Sequence, residues 1–514
     1  MKNVILIILL ASYDYFGAAQ SQVLSGYVFL DTNKNGIYDP GEKPLGQVAV
    51  SNGLDIVQSD GMGKYEIPLR ENGVIFVIKP SGYAPALTEE NIPGFFAFNN
   101  PGGSPELKYP GIPKNILTKP FNFPLHPSPY ENKLKIALLG DTQVEDMEHV
   151  SHVAKLVADQ LIDEKTSFVV PLGDLVFDDL DLFEPLKEVL GKIGSPVYYV
   201  YGNHDRNYDA SSIQHRDETY KANFGPSYYA FNYGNNAFLV LNDVFPENGT
   251  RKFEAKIDEV QLQFISNFIK TIPASNTIHL MMHIPLEELT NRSALFNILK
   301  DHKNVYAYAG HTHTQYFKDF GKEEGWHQDE PLTELVAGAV CGAWWLGEKD
   351  VYGVPVSMMG DGTPKGYWIL DIEGSEVKFT YKISGNSANR QMHIWTPPAF
   401  DNDRAAIDNN HIIVNVFAGN DSTEVKIKIE GYDWISMKKV LEPDPFYSNQ
   451  VVIQEQNDVP ANKMPYYKDK FPLCEHLWKT RIPQGLKSGS HQLEIHAKNN
   501  IGLDARVNAF LFIR

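Results

Sequence analysis

Five short apolar runs each end in residues that can hold a metal ion. Ile136–Leu139 leads into Gly140-Asp141-Thr142-Gln143, and Phe168–Pro171 into Gly173-Asp174, with Asp178 close behind. Val197–Val200 leads into Gly202-Asn203-His204-Asp205, Ile278–Met282 into His283 and Pro285, and Val305–Ala309 into Gly310-His311-Thr312-His313. Carboxylate, imidazole and carboxamide are the oxygen and nitrogen donors that borderline and hard divalent cations accept. An Asp has two oxygens and can bridge two ions, as a site that clamps phosphate between metals requires. A lone Gly-Asp is an ordinary turn and a lone strand histidine is ordinary core. Five in order, each following an apolar run, make a site.

Such runs need elements to carry them. Across residues 132–385 they alternate with helical periods over Met147–Ile162 and Phe253–Ile269, which predicts a layered α/β domain with strands buried on both faces. In open sheets of this kind the C-terminal strand edge builds the site. Residues 22–108 read as short strands, Val23–Phe29, Gln47–Val50, Gly63–Pro68 and Val74–Ile78, separated by Gly, Asn and Asp turns. Six prolines between Pro110 and Pro129 suggest a stiff linker over 109–131. After Gly385 helical signals vanish, and Ile412–Val416, Glu424–Ile429, Gln492–Ala497 and Ala509–Ile513 look like sandwich strands of a domain over 386–514. The fold class is therefore an α/β sandwich flanked by two β-sandwiches.

In its motifs, residues 134–320 resemble the calcineurin-like metallophosphoesterase superfamily. The resemblance implies two divalent ions of the Mn, Fe, Zn or Mg class, sharing Asp174 as a bridge. Asp141 and His313 would complete one ion, and Asn203, His283 and His311 the other. His204 would act at the leaving group, with Asp178 hydrogen-bonded behind it. Where the superfamily usually has His, two residues after the first Asp, this chain has Gln143, whose carbonyl oxygen would be a harder, neutral ligand. The implied activity is hydrolysis of phosphate mono- or diesters by a metal-activated hydroxide. The rival reading is a catalytically weak or dead protein that grips glycan or cell wall through its flanking domains. His279, four residues before His283, reads as core or surface, and His149 and His152 as solvated positions on a helix.

A second pattern lies near the N-terminus. Asp31, Asn33, Asn35, Gly36, Asp39 and Glu42 fit the spacing of a calcium loop, with Glu42 at the bidentate position. The strand-like flanks resemble calcium-binding β-sandwich repeats of bacterial surface proteins, and imply a structural Ca²⁺. Beyond the fifth motif, Trp326-His327, Trp344-Trp345 and Asp361-Gly362-Thr363-Pro364 are candidates for a substrate-facing wall, with Trp344, Trp345 and Asp361 the named residues. The whole arrangement also resembles bacterial three-domain metallophosphoesterases.

Composition narrows the partners. A formal net charge of -18 argues against nucleic acid or an anionic membrane, but not against a phosphorylated small molecule, glycan or lipid headgroup, because bound cations reverse the local field. Lys2, the apolar run Val4–Leu10 and Gly17-Ala18-Ala19 form a cleavable signal over residues 1–19, implying a secreted or periplasmic protein. No later stretch is long and apolar enough to span a bilayer. Cys341 and Cys474, far apart in sequence, read as unpaired thiols.

Overall fold

The computed structural model describes residues 22–129, 133–385, 390–397, 410–456 and 470–514, so the signal segment lies outside the described residues. The central domain is a pair of sheets. The smaller has the order Phe168–Pro171, Lys133–Leu139, Gly366–Glu373, Glu376–Ile383. The larger has the order Tyr229–Tyr233, Asn236–Val240, Thr277–Met281, Val305–Ala309, Leu332–Ala337, Gln315–Phe320. Its four middle strands run parallel and its two edge strands antiparallel. Buried on both faces, the parallel strands are apolar almost throughout, as such strands must be. The sheets meet through aromatic side chains: Phe168 packs edge-on against Phe231 and Phe238, and Trp368 against Phe317.

The helical period from Met147 is a continuous run of helix Met147–Val153, a π-helical turn Ala154–Ala158 and helix Asp159–Glu164. The period from Phe253 divides into a strand, Phe253–Ala255, and a helix, Glu259–Ile269. Asp258 sets the boundary, because its Oδ1 accepts the Gln261 N–H at 2.7 Å and caps the helix. Val197–Val200 runs extended beside Phe168–Pro171, with the N–H groups of Tyr198 and Val200 donating to Val169 and Pro171 carbonyls.

Each flanking domain is built of two sheets. In the N-terminal one, Lys43–Pro44, Val23–Leu30, Phe123–Pro127 and Tyr83–Ala84 form one sheet, in which Lys64–Pro68 also pairs with Val23–Tyr27. The other holds Ile56–Gln58, Ala49–Ser51, Gly73–Val77 and Phe96–Asn99. Part of the proline-rich stretch is thus not linker: Phe123–Pro127 pairs in parallel with Val28–Leu30. Pro124 is tolerated there because pairing to Tyr83–Ala84 involves only His126 and Pro127, so no partner on that side needs its missing N–H. In the C-terminal domain a helix, Pro445–Gln456, interrupts strands where no helical signal was expected. Its outward face carries Val452 and Ile453 and its buried face a Gln454, which blurs the period. Asp444 Oδ1 nevertheless accepts the Tyr447 N–H at 2.8 Å and starts it.

Candidate metal centre

The five motif ends meet where the C-terminal ends of strands from both central sheets come together. Ligand atoms of Asp174, His283 and His311 lie within 4.8 Å of one another. His283 Nε2 is 3.3 Å from Asp174 Oδ2 and 3.1 Å from Asn203 Oδ1, and His311 Nδ1 is 3.2 Å from His283 Nε2. Asp141 Oδ1 and His313 Nε2 are 3.7 Å apart, and Gln143 Nε2 donates to Asp174 Oδ2 at 3.4 Å, so that its carbonyl oxygen, the expected ligand atom, faces Cys341 Sγ instead.

Backbone carbonyls decide which imidazole nitrogen faces inward. His283 Nδ1 donates to Leu172 O at 2.8 Å and His313 Nδ1 to Gly342 O at 2.6 Å. Each bond puts a ring proton on Nδ1 and turns Nε2 toward the carboxylates. The close approach also needs glycine: a Cβ on Gly202 would sit 2.0 Å from Asp174 N. Non-glycine residues pay with left-handed backbone, at Gln143 (φ 37), Asp174 (φ 47), Asp178 (φ 67), His311 (φ 72) and His313 (φ 52). Such conformations cluster where surrounding structure dictates them, and they mark functional sites.

The donor set fits divalent cations. Asp141 Oδ1 is buried with no hydrogen-bond partner. Burial pushes the Asp141 carboxyl up to about 7, and drives His311 down to about 3 and His313 to about 4. His283 goes the other way, up to about 10, because the Asp174 and Asp141 carboxylates outweigh its burial; a cation bound there would take the place of that ring proton.

His204 stands at the side. Its N–H donates to Asp174 Oδ1 at 2.7 Å, and its ring Nδ1 is 2.7 Å from Asp178 Oδ1. Burial opposes a charge on this ring, yet the Asp174 and Asp178 carboxylates raise its pKa overall. Phe177 stacks on it at 4.7 Å. Asp178 also pairs with Arg251, whose guanidinium lies 3.8 Å over the Tyr208 ring.

Three model matches cover most of the chain. Residues 134–315 match the family model described as calcineurin-like phosphoesterase, 31–108 the model of its N-terminal part, and 334–504 that of its C-terminal part. The chain belongs to the calcineurin-like phosphoesterase family. No curated protein matches it. Among solved structures it is similar to a dimetal phosphatase from Danio rerio, with 15% identity over 48% of this chain and 98% of that one, at a TM-score of 0.33. A purple acid phosphatase from yellow lupin (Lupinus luteus) seeds shares 11% identity over 66% of this chain and 67% of its own, at a TM-score of 0.36. PhoD shares 11% over 78% and 85%, at a TM-score of 0.38.

Several residues of this phosphoesterase lie elsewhere than its sequence suggests. Trp344 is half-buried and stacks on His313 at 4.1 Å, so it stands at the site. Trp345 is buried, donates from Nε1 to Thr142 O at 3.0 Å and packs on His152, so it is a pillar under the first motif rather than a wall. His152 is accordingly buried, not solvated. Asp361 is 1% exposed and both its oxygens accept backbone N–H bonds, which removes it from a substrate-facing wall. His279 is core, bonded to Tyr308 and Asn236. Cys341 and Cys474 are buried and unbonded to each other.

Two carboxylates escaped the sequence reading. Asp205 accepts the N–H of Leu175 through Oδ1 and of Gly202 through Oδ2, tying the second motif to the third. Asp243 Oδ2 accepts the Ile284 N–H at 2.8 Å and so fixes the turn that carries His283. Their only sequence signal is position, an Asp closing the Gly-Asn-His-Asp motif and another just past the apolar run Phe238–Leu241.

Proposed function

We propose that the chain hydrolyses phosphate mono- or diesters at a two-ion centre, with His204 as proton donor to the leaving group. Asp141, Gln143 and His313 would hold one ion and Asn203, His283 and His311 the other, with Asp174 shared. When bound, two divalent ions offset the charge on a phosphoryl group and lower the pKa of a water. The chain's own residues do the rest. Asp174 presents Oδ2 to both half-sites while Oδ1 accepts the His204 N–H, and the Leu172 and Gly342 carbonyls keep Nε2 of each ring turned inward. Asp178 fixes the tautomer of His204, so that Nε2 is the ring nitrogen left to deliver a proton.

The observation that carries this reading is the placement of Asp174, whose Oδ2 lies 3.3 Å from His283 Nε2 and 3.4 Å from Gln143 Nε2, a residue of each proposed half-site. A panel of phosphate mono- and diesters, assayed with metal-reconstituted protein, tests it. Turnover that does not depend on added divalent metal would overturn it. Trp344 supports a substrate wall beside His313. Among the described residues no helix is long and apolar enough to cross a membrane. Export is supported by the apolar run Val4–Leu10 with its small residues, and N-terminal sequencing of the exported protein would show the cleavage.

A structural Ca²⁺ completes the reading. Asp39 Oδ2 accepts from both Asn33 and Asn35 side chains, at 2.9 and 2.8 Å, and Asp31 is buried with its oxygens turned to the Asn35 and Gly36 N–H groups. Glu42 closes the loop on Thr32 and Asp39 N–H groups.

A further inference from the structure

The ligands proposed for the two ions are braced by different parts of the chain. Asn203, His283 and His311 are held from within the α/β domain, by the Leu172 carbonyl, Asp205, Asp243 and Asp141. Asp141, Gln143 and His313 lie against residues 338–342. Cys341 N donates to Asp141 O at 3.1 Å, Cys341 Sγ is 3.9 Å from Gln143 Oε1, and Gly342 O accepts from His313 Nδ1.

That segment is a run of turns, and the loop 355–363 clamps it. A Cβ on Gly342 would come within 1.7 Å of Ser357 O, so the two backbones touch. Ser357 Oγ donates to Cys341 O at 2.7 Å. At the other end of the same loop, Asp361 Oδ2 accepts the N–H of Gln315 at 2.6 Å, two residues beyond His313. One loop therefore braces both the carbonyl that orients the His313 ring and the backbone that carries it.

The loop in turn leans on the C-terminal sandwich. Asn415 Nδ2 donates to Asp361 O at 2.8 Å and to Asp444 Oδ2 at 3.0 Å. His476 Nδ1 is 2.7 Å from Asn415 Oδ1, and its Nε2 is 3.4 Å from Asp361 Oδ2. Gln315 Nε2 donates to Phe417 O at 2.7 Å. A Cβ on Gly362 would stand 2.0 Å from Asp444 Cγ. Asp361, Asn415, Asp444, His476 and Gln315 are all buried. Apolar residues of similar size would hold two domains together as well or better, whereas a bonded polar cluster fixes one geometry.

We propose that Asp361 is a positioning residue for the His313 side of the metal centre, and that through Asn415 and His476 the C-terminal sandwich sets the affinity of that one ion. The inference rests on the two-ion reading above. In Asp361→Asn the Thr363 bond can survive, but an amide N–H₂ must face the Gln315 N–H. In Asn415→Ser the cluster loses its bridge and the α/β domain is untouched.

The test is calorimetric titration of metal-free, full-length protein with Mn²⁺. Wild type takes two ions. Asp361→Asn weakens one site about 10–100-fold, the range for residues that orient ligands, and leaves the other unchanged. Asn415→Ser weakens the same site by less. Adding Asp361→Asn to His313→Ala leaves the remaining site as it was. A lowered Tm with both affinities unchanged would make the cluster structural only and overturn the inference, as would equal weakening of both sites. Wild type that takes fewer than two ions overturns the two-ion reading and this inference with it. If Asp361→Asn does not fold, Asn415→Ser decides alone.

Discussion

His204 Nδ1 lies 2.7 Å from Asp178 Oδ1, while the backbone N–H of the same His204 donates to Asp174 Oδ1 at the same distance. One residue is thus fixed to Asp174 by its main chain and to a separate carboxylate, Asp178, by its ring. Both contacts hold the ring beside Asp174, so in the two-ion reading it would not need to bind an ion to stay in place.

His204→Ala should keep metal content and lose about 10²–10⁴-fold in kcat on esters with poor leaving groups, the usual worth of a proton donor. Aryl esters with acidic leaving groups should lose much less. Asp178→Asn should show the same pattern in weaker form. A leaving-group series with metal analysis of each variant checks this, and equal losses across the series would remove His204 from the role.

Asp174→Asn should abolish turnover and the pairing of the two ions while the circular dichroism spectrum stays that of the wild type. The substitution keeps volume and the acceptor for the His204 N–H, and removes the charge that both half-sites share. Elemental analysis showing two ions retained, with full turnover, would refute the bridge.

Gln143→His should tighten the Asp141 and His313 side and shift it toward zinc or iron, because imidazole suits those ions better than a carboxamide oxygen does. Wild-type activity should correspondingly rise with added manganese. Gln143 sits at φ 37, and an imidazole reaches differently from a carboxamide, so affinity is the quantity to measure. Identical titrations for both proteins would show that residue 143 is no ligand.

Calcium should raise the Tm of the full chain, and Glu42→Gln should blunt that response, because Glu42 closes the loop on Thr32 and Asp39. A ligand at a hundred times its Kd stabilises the folded state by about 2.7 kcal/mol. Comparing wild type and variant across a calcium series separates this loop from calcium bound elsewhere.

The candidate donor side chains were legible in the sequence because each motif is local: an apolar run and a donor side chain occupy fewer than ten residues, as in Val305–Ala309 with His311 and His313. The α/β class and its flanking β domains follow from periodicity, which is equally local. What tertiary structure alone decided is everything that depends on partners distant in the chain. His313 takes its tautomer from Gly342 and His283 from Leu172, contacts that no spacing rule encodes. Trp345 and Asp361 have the composition of a binding wall, yet burial against Thr142 and against the C-terminal sandwich made them supports. The strand Phe123–Pro127 was hidden by its prolines, since pairing with Val28–Leu30 needs a partner about a hundred residues away and no period of its own. Side-chain type is written residue by residue, whereas which face a side chain shows, and what it leans on, is settled only when distant segments pack.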